Sequence, residues 1–185
     1  KGTINMTLDK FTIKAQEAVQ EAVTIAQTAQ NQAIEPVHLL MGIIDKGKDI
    51  VSFIFQKQGV SIQLIKTLAE TEMTHLAKVQ GGEPYLTKDT NDILTKAIDE
   101  ARRMGDEFVS IEPMIIAMLQ TNTTVSRMLK DNGLTIDGVH MAIKELRQGR
   151  KVDSVSTDDN YQSLSKYAQN LVQKAREGKL DPVIG

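Results

Sequence analysis

The chain has 185 residues, a formal net charge of −2, no cysteine and only 4% aromatic residues. The lack of cysteine excludes disulfides and thiolate metal sites and fits a reducing compartment, so we expect a cytoplasmic protein. The charge balance gives no basic footprint for nucleic acid, and no apolar run approaches the roughly 20 residues that cross a bilayer. Neither nucleic acid nor a membrane is therefore expected among its partners.

The first half of the chain carries the pattern of four helices. Small and apolar residues recur at helical spacing in the first of them, and Pro36 restarts the chain, since proline is tolerated at the first helical position. The second helix is almost entirely apolar, so we expect it at the buried centre. Gly59 stops the third, and Ser61 caps the fourth. The predicted ranges are 9–30, 37–46, 49–58 and 62–77.

A second copy of this pattern comes after the breaker segment 80–84. The offset between copies is 75 residues for Ala22 and Ala97, 77 for the Ile-Glu-Pro motifs at 34 and 111, and 74 for Gly59 and Gly133. Each copy alone is marginal for a core, so we expect an all-α fold in which both pack as one domain. The helices of the second copy are predicted at 89–104, 113–120, 123–131 and 136–147, with Ile111-Glu112 as the turn before Pro113.

The two ends of the chain differ from this repeat pattern. Residues 149–160 are polar and unpatterned, which is typical of a flexible linker. One further helix, with an apolar stripe, is predicted from Tyr161 to about Gly178. Residues 1–5 differ in character from the first repeat, and we expect them to be an added leader before a natural start at Met6.

Four segments of the chain stand out as motifs. They are Ile34-Glu35-Pro36-Val37-His38-Leu39-Leu40, Gly178-Lys179-Leu180-Asp181-Pro182-Val183-Ile184-Gly185, Met6-Thr7-Leu8-Asp9-Lys10-Phe11-Thr12 and Tyr161-Gln162-Ser163-Leu164-Ser165-Lys166-Tyr167. Together they resemble the ClpB family of ring-forming AAA+ disaggregases. The resemblance divides the chain into a Clp amino-terminal repeat domain at 6–148 (repeats 6–79 and 85–148), a linker at 149–160 and the truncated start of the first AAA+ module at 161–185.

This resemblance implies a homohexamer that threads polypeptide out of aggregates with ATP and magnesium, together with a DnaK-type chaperone. The sequence contains no Gly-x-x-x-x-Gly-Lys-Ser/Thr phosphate loop, so we expect no cofactor and no catalytic residue in this chain, and a monomer in isolation. The implied task is capture of unfolded or aggregated polypeptide. Two alternatives stay open, an adaptor-docking domain of a ClpA- or ClpC-like unfoldase and a purely structural domain of the ring.

The resemblance also implies a polar binding trio, which falls on Thr12, Asp106 and Glu112. Carboxylates beside an apolar groove could hold the backbone amides or basic flanks of an extended peptide, although Asp106 and Glu112 would equally suit a helix N-terminus. Phe108 and Met114 are expected to add apolar surface to the groove. Where other members carry leucine, this sequence has a lysine, a glutamate and a proline, so we expect a more polar or shifted groove. These positions are Lys96, Glu100 and Pro113.

The remaining charged and titratable residues favour structural roles. His38 lies among apolar residues and has no ligand spacing to His75 or His140, so we expect a hydrogen-bonded core histidine and no metal site. The basic residues around the end of the last repeat helix are expected to form a solvated helix end. They are Lys144, Arg147, Arg150 and Lys151.

Overall fold

The structure is a computed structural model, and it describes residues 8–158. Within this range eight α-helices form two groups of four, which confirms the predicted all-α fold of two pseudo-repeats. None of these helices is long and apolar enough to cross a membrane. The predicted leader and the helix from Tyr161 lie outside the described residues. The elements are α1 (Ile13–Thr28), β1 (Ala33–Ile34), α2 (Pro36–Lys46), α3 (Lys48–Lys57), α4 (Ile62–Thr74), β2 (Tyr85–Leu86), α5 (Lys88–Arg103), α6 (Ile111–Gln120), α7 (Thr124–Asp131) and α8 (Ile136–Arg147).

Five of the eight helices begin at a serine or threonine that caps them. In each case the side-chain oxygen accepts a hydrogen bond from the backbone N–H three residues later, which contributes about 1 kcal/mol per cap. Gly59 and Gly133, with φ of 69° and 107°, end α3 and α7 in the left-handed conformation that glycine adopts without strain. The capping residues are Thr12, Ser61, Thr87, Thr123 and Thr135.

The core is centred on α2 and α6, whose residues are almost all buried. Helix α1 lies across α2 with its alanine stripe facing inward. Gly42 of α2 approaches Ala18 so closely that an added Cβ would overlap the Ala18 carbonyl oxygen. Because glycine and alanine project almost no side chain, the two helix backbones can pack at this short separation. The buried alanines are Ala15, Ala18, Ala22 and Ala26.

The two halves exchange backbone hydrogen bonds at both ends of the molecule. Strand β1 pairs in parallel with β2, with Ala33 opposite Tyr85. At the other end Phe11 forms a parallel bridge with Val109. In both places the residues before the first helix of one half pair with the residues before the second helix of the other half. The arrangement is therefore close to two-fold symmetric.

The two halves can be aligned by their helices or by their Ile-Glu-Pro motifs, and the two alignments differ by two residues. Helix α2 begins at Pro36, but α6 begins at Ile111, within its own Ile-Glu-Pro motif. The residues that precede these helices, Ile34 and Val109, differ by 75 positions rather than 77. The predicted turn at Ile111-Glu112 is thus the first turn of α6. Pro113 is tolerated there because the first turn needs no backbone N–H.

The turn before α2 is held by His38, which is buried as predicted and fully hydrogen-bonded. Its Nδ1 accepts a hydrogen bond from the Glu35 backbone N–H at 2.9 Å, and its Nε2 lies 3.0 Å from Asn31 Oδ1. These partners select the neutral tautomer with the proton on Nε2. Burial lowers the pKa of His38 to about 4.

We expect the free energy of unfolding to fall as pH decreases from about 6.5 toward 4. The pKa of His38 is lower in the folded than in the unfolded chain, so its contribution is fully present above about pH 6.5 and is lost as pH falls through about 4. The shift corresponds to at most about 3 kcal/mol. Urea unfolding at pH 7 and pH 5 measures this slope, and His38→Gln should flatten it.

His75→Gln, at an exposed histidine, is the matched control and should keep the slope of the unaltered chain. Equal slopes in the unaltered chain and both variants would contradict the assignment to His38.

Candidate functional site

The trio that the resemblance implies meets at one end of the domain. The N-terminus of α1, the loop 104–110, the start of α6, the C-terminus of α8 and the segment 149–158 come together there. We call this region the seam, and the segment 149–158 the strap. Several polar side chains are buried at the seam, and they are hydrogen-bonded or ion-paired there.

Arg147, in the last turn of α8, lies at the centre of the seam and is only 4% exposed. Its Nη1 donates to both oxygens of Asp106 at 2.9 Å, and its Nε donates to Glu112 Oε2 at 3.3 Å. Its Nη2 donates to the Ser110 hydroxyl at 3.1 Å, and that hydroxyl donates to Glu112 Oε1 at 2.7 Å. The prediction of a solvated helix end is therefore wrong for Arg147.

Two carboxylates hold this one guanidinium, and neither of their side chains has exposed surface. Burial by itself acts to lower the pKa of Arg147, but the charges of Glu112 and Asp106 and their hydrogen bonds outweigh it and raise the pKa above its ordinary value. The buried group is thus permanently cationic. With one positive and two negative charges, the cluster carries an excess negative charge.

The strap differs from the unpatterned linker that the sequence predicts, because it contacts the domain at specific points. The Val152 side chain is fully buried in the hydrophobic core. Its backbone N–H donates to Asp106 Oδ1 at 3.0 Å, and its carbonyl oxygen accepts from the Glu107 N–H at 2.8 Å. The two valines of the strap, Val152 and Val155, are too few to give a periodic signal, so the sequence does not predict that Val152 is buried. Residues 159 and 160 of the predicted linker lie outside the described range.

The second half of the strap lies against the start of α1. The Val155 carbonyl oxygen accepts from the Ile13 N–H at 2.8 Å. Thr12, the N-cap of α1, accepts from the Ala15 N–H and donates its hydroxyl to Asp158 Oδ2 at 2.7 Å. Thr12 therefore joins the strap to the first helix.

The structure brings the predicted trio to the seam but buries all three side chains. Thr12 and Glu112 have no exposed surface, and the Asp106 carboxylate is covered by Arg147 and the strap. Met114 lies in the core with no exposed surface, whereas Phe108 is half-buried. In this conformation the trio and Met114 cannot touch a partner directly, and their binding role stays a prediction.

Exposed apolar surface lies beside the buried cluster, at residues that the sequence did not single out. Ile13 is 45% exposed and Val155 is 38% exposed, and their backbones are hydrogen-bonded to each other. Ile13 also lines a shallow pocket that includes Leu8 and the carboxylates of Asp9 and Glu17. The seam thus offers an apolar strip whose adjoining pocket contains the acidic residues Asp9 and Glu17.

The surface around the three unusual groove positions is polar. Glu100 is buried and accepts hydrogen bonds from Arg103 Nη1 at 2.9 Å and from the Gln120 amide at 3.3 Å. Its other oxygen lies 3.5 Å from Nε2 of the half-exposed His140. Lys96 is exposed and Pro113 is buried. An apolar segment would find little to cover at these positions.

A second pocket, at the N-terminus of α2, is acidic. Glu35, Glu72 and Asp89 line it together with apolar residues that include Val37 and Leu76. Burial and then repulsion from Asp89 raise the pKa of Glu35. In the part of the chain that the structure describes, no three His, Asp or Glu side chains are placed to hold a metal ion. We assign this pocket no ligand.

Comparison with known proteins gives a consistent result. Residues 10–132 match the model of the Clp repeat (R) N-terminal domain. Over 180 residues the chain is 51% identical to the chaperone protein ClpB of Bacteroides thetaiotaomicron and 46% identical to that of Porphyromonas gingivalis. Each match covers 97% of this chain and 21% of the relative, so the chain spans about a fifth of the length of these relatives.

The fold is also similar to that of the Hsp104 N-terminal domain from Candida albicans. The TM-score is 0.68 at 18% identity, over 79% of this chain and 97% of the Hsp104 domain. At this identity the likeness concerns the fold alone. It extends the match from the sequence to the three-dimensional arrangement of the helices.

Arg147→Met should destabilise the domain by about 3–5 kcal/mol, because it leaves the buried carboxylates of Asp106 and Glu112 without their cation. Urea unfolding followed by circular dichroism measures the change. Lys144→Met, on an exposed position of the same helix, removes the same charge and should change stability little. Equal losses in the two variants would contradict a buried ion cluster at the seam.

Proposed function

Because the chain belongs to the Clp repeat amino-terminal domain family, we propose that it captures unfolded or aggregated polypeptide for a ClpB-type disaggregase. In this proposal the domain holds an extended segment at the seam and passes it to a homohexameric ATPase ring. The observation that carries the proposal is the exposed apolar strip of Ile13 and Val155, bordered by the carboxylates of Asp9 and Glu17. Unfolded chains present the complementary features, apolar side chains flanked by basic ones.

The physical terms favour weak and rapidly reversible binding. Covering apolar surface contributes about 25 cal/mol per Å², and an exposed charge pair contributes roughly 0.2–1 kcal/mol. A strip of two or three partly exposed side chains therefore gives modest affinity. Six tethered copies on a ring would raise the effective affinity by engaging one aggregate at several points. Weak individual contacts also allow release of the segment to the ring.

The five predicted binding residues divide into two groups in this proposal. Glu112 and Met114 are buried and act by holding the seam in shape. Thr12, Asp106 and Phe108 contact the strap directly, through the Thr12 hydroxyl, the Asp106 carboxylate and the Phe108 backbone N–H. These three lie nearest to any segment that would replace the strap.

Relatives support the proposal. The curated relatives are ClpB chaperones, and a ClpV N-domain of the same fold, with a TM-score of 0.56 and 14% identity, is described as a complex with a VipB peptide. On the same basis we propose that ATP and magnesium bind in the ATPase modules, that a DnaK-type chaperone system is a partner and that the location is cytoplasmic.

The chain should bind a reduced, carboxymethylated model protein at least about tenfold more tightly than the same protein in its native form. Ile13→Ser should weaken this binding roughly three- to tenfold, because it removes apolar surface from the strip. Leu64→Ser is the matched control, since Leu64 is 46% exposed on α4 and should leave the affinity unchanged. Fluorescence anisotropy of the labelled model protein measures all three affinities.

The other possible outcomes of this binding experiment distinguish the alternative functions. Equal binding of native and unfolded protein rejects capture of unfolded chains. A preference for a folded partner supports an adaptor-docking domain. If neither form of the protein binds, a purely structural role in the ring is the remaining alternative. Preferential capture that both serine variants retain places the binding surface away from the seam.

A further inference from the structure

Both the N–H and the carbonyl oxygen of Val152 are hydrogen-bonded to the domain. Proteins that bind extended peptides through their main chain use the same kind of contact. The Val152 N–H donates to the Asp106 carboxylate at 3.0 Å. Its carbonyl oxygen accepts from the Glu107 N–H at 2.8 Å and from the Phe108 N–H at 3.4 Å. Contacts of this kind are independent of the side chains of the bound segment.

Side-chain selectivity at this place comes from one residue. Val152 is fully buried, whereas its neighbours Lys151 and Asp153 are exposed. The Lys151 ammonium donates to the Met104 carbonyl oxygen at 2.9 Å. The site therefore accepts an extended chain with one aliphatic side chain directly after a basic one. We call the space that the Val152 side chain fills the Val152 socket.

The equivalent place in the first half has the opposite polarity. Asn31 and Ala77 lie 75 positions before Asp106 and Val152. There the Asn31 amide donates to the Ala77 carbonyl oxygen at 3.0 Å. In the second half a carboxylate accepts an N–H instead, and it belongs to a cluster with excess negative charge. Only the second half thus offers an anionic acceptor to a backbone N–H.

The strap is tethered in a way that allows it to leave the socket. It comes after Gln148, whose φ is 51°, and begins at Gly149, whose φ is 87°, so the chain turns sharply away from α8. Beyond that turn Val152 is the only apolar residue of the strap that is fully buried. The strap is held by this one apolar side chain and by a small number of buried or partly buried hydrogen bonds, so its opening exposes little apolar surface and can occur locally.

We propose that the Val152 socket, with the Asp106 carboxylate and the Glu107 and Phe108 amides, is a binding site for an extended polypeptide segment that carries an aliphatic residue. The strap is the resident occupant of this site, so substrate and strap compete for it. The inference rests on the proposed capture function and refines its substrate class. Because of this competition, the apparent affinity for substrate equals the intrinsic affinity multiplied by the fraction of molecules whose strap is open.

Val152→Thr tests the competition, because it replaces a buried methyl by a hydroxyl of similar size. We expect amide hydrogen exchange at Glu107 and affinity for the unfolded model protein both to rise about tenfold. Val79→Thr makes the same change at an exposed valine outside the seam, since Val79 is 44% exposed, and should alter neither quantity. Faster exchange without tighter binding overturns the proposal, and so does unchanged exchange.

A second measurement needs no change in the domain. A synthetic peptide of residues 149–158, added to the unaltered chain, should displace the unfolded model protein, and the same peptide with Val152→Asp should not. Displacement by both peptides, or by neither, overturns the proposal. The peptide experiment tests the proposal even if the Val152→Thr chain fails to fold.

The Glu107 amide signal separates this proposal from the capture function. In nuclear magnetic resonance spectra of the Val152→Thr chain, adding the peptide of residues 149–158 should shift the Glu107 amide signal in the absence of unfolded protein. A shift combined with no binding of unfolded protein keeps the socket as a peptide site and rejects capture. Capture of unfolded protein without a shift rejects the socket and keeps capture.

Discussion

The buried guanidinium of Arg147 joins the end of α8 to a loop and a helix start that lie 41 and 35 positions earlier in the sequence. Asp106 in the loop before α6 and Glu112 in the first turn of α6 both bind it, so the end of α8 has one permitted position relative to α6. An unpaired charge in that place would cost several kcal/mol, which makes the arrangement close to all-or-none. Asp106 also accepts the N–H of Val152, so the same ion cluster sets the position of the strap.

The helices of this fold could be predicted from the sequence because their signals are local. Ser61 and Thr135 cap the helices after them, and Gly59 and Gly133 end the helices before them, at spacings fixed by the backbone. The seam could not be predicted in the same way. Arg147 looks like an ordinary basic residue at a helix end, since its partners lie 35 and 41 positions earlier. The resemblance supplied Thr12, Asp106 and Glu112 as a group, but only the fold shows that they are buried.

The two halves of the domain have diverged in chemistry more than in shape. A displacement of two residues places Glu35 at the N-cap of α2 but Glu112 inside the first turn of α6. The first half then closes its turn with the neutral pair of His38 and Asn31. The second half uses an ion cluster that reaches the strap. Equal architecture thus supports two different chemistries at the two ends, a neutral hydrogen-bonded turn and an ion cluster.

The reciprocal strand exchange has a consequence for the origin of the fold. Residues before α5 complete the first half at β1, and residues before α1 complete the second half at Val109. A single copy of the repeat would leave both of these edges unpaired, and two separate copies could satisfy them only as an isologous dimer. The geometry is that of a homodimer whose two subunits have been fused by gene duplication. Within one chain the two halves always meet in equal number, so either half can change its surface without losing the strand that completes its edge.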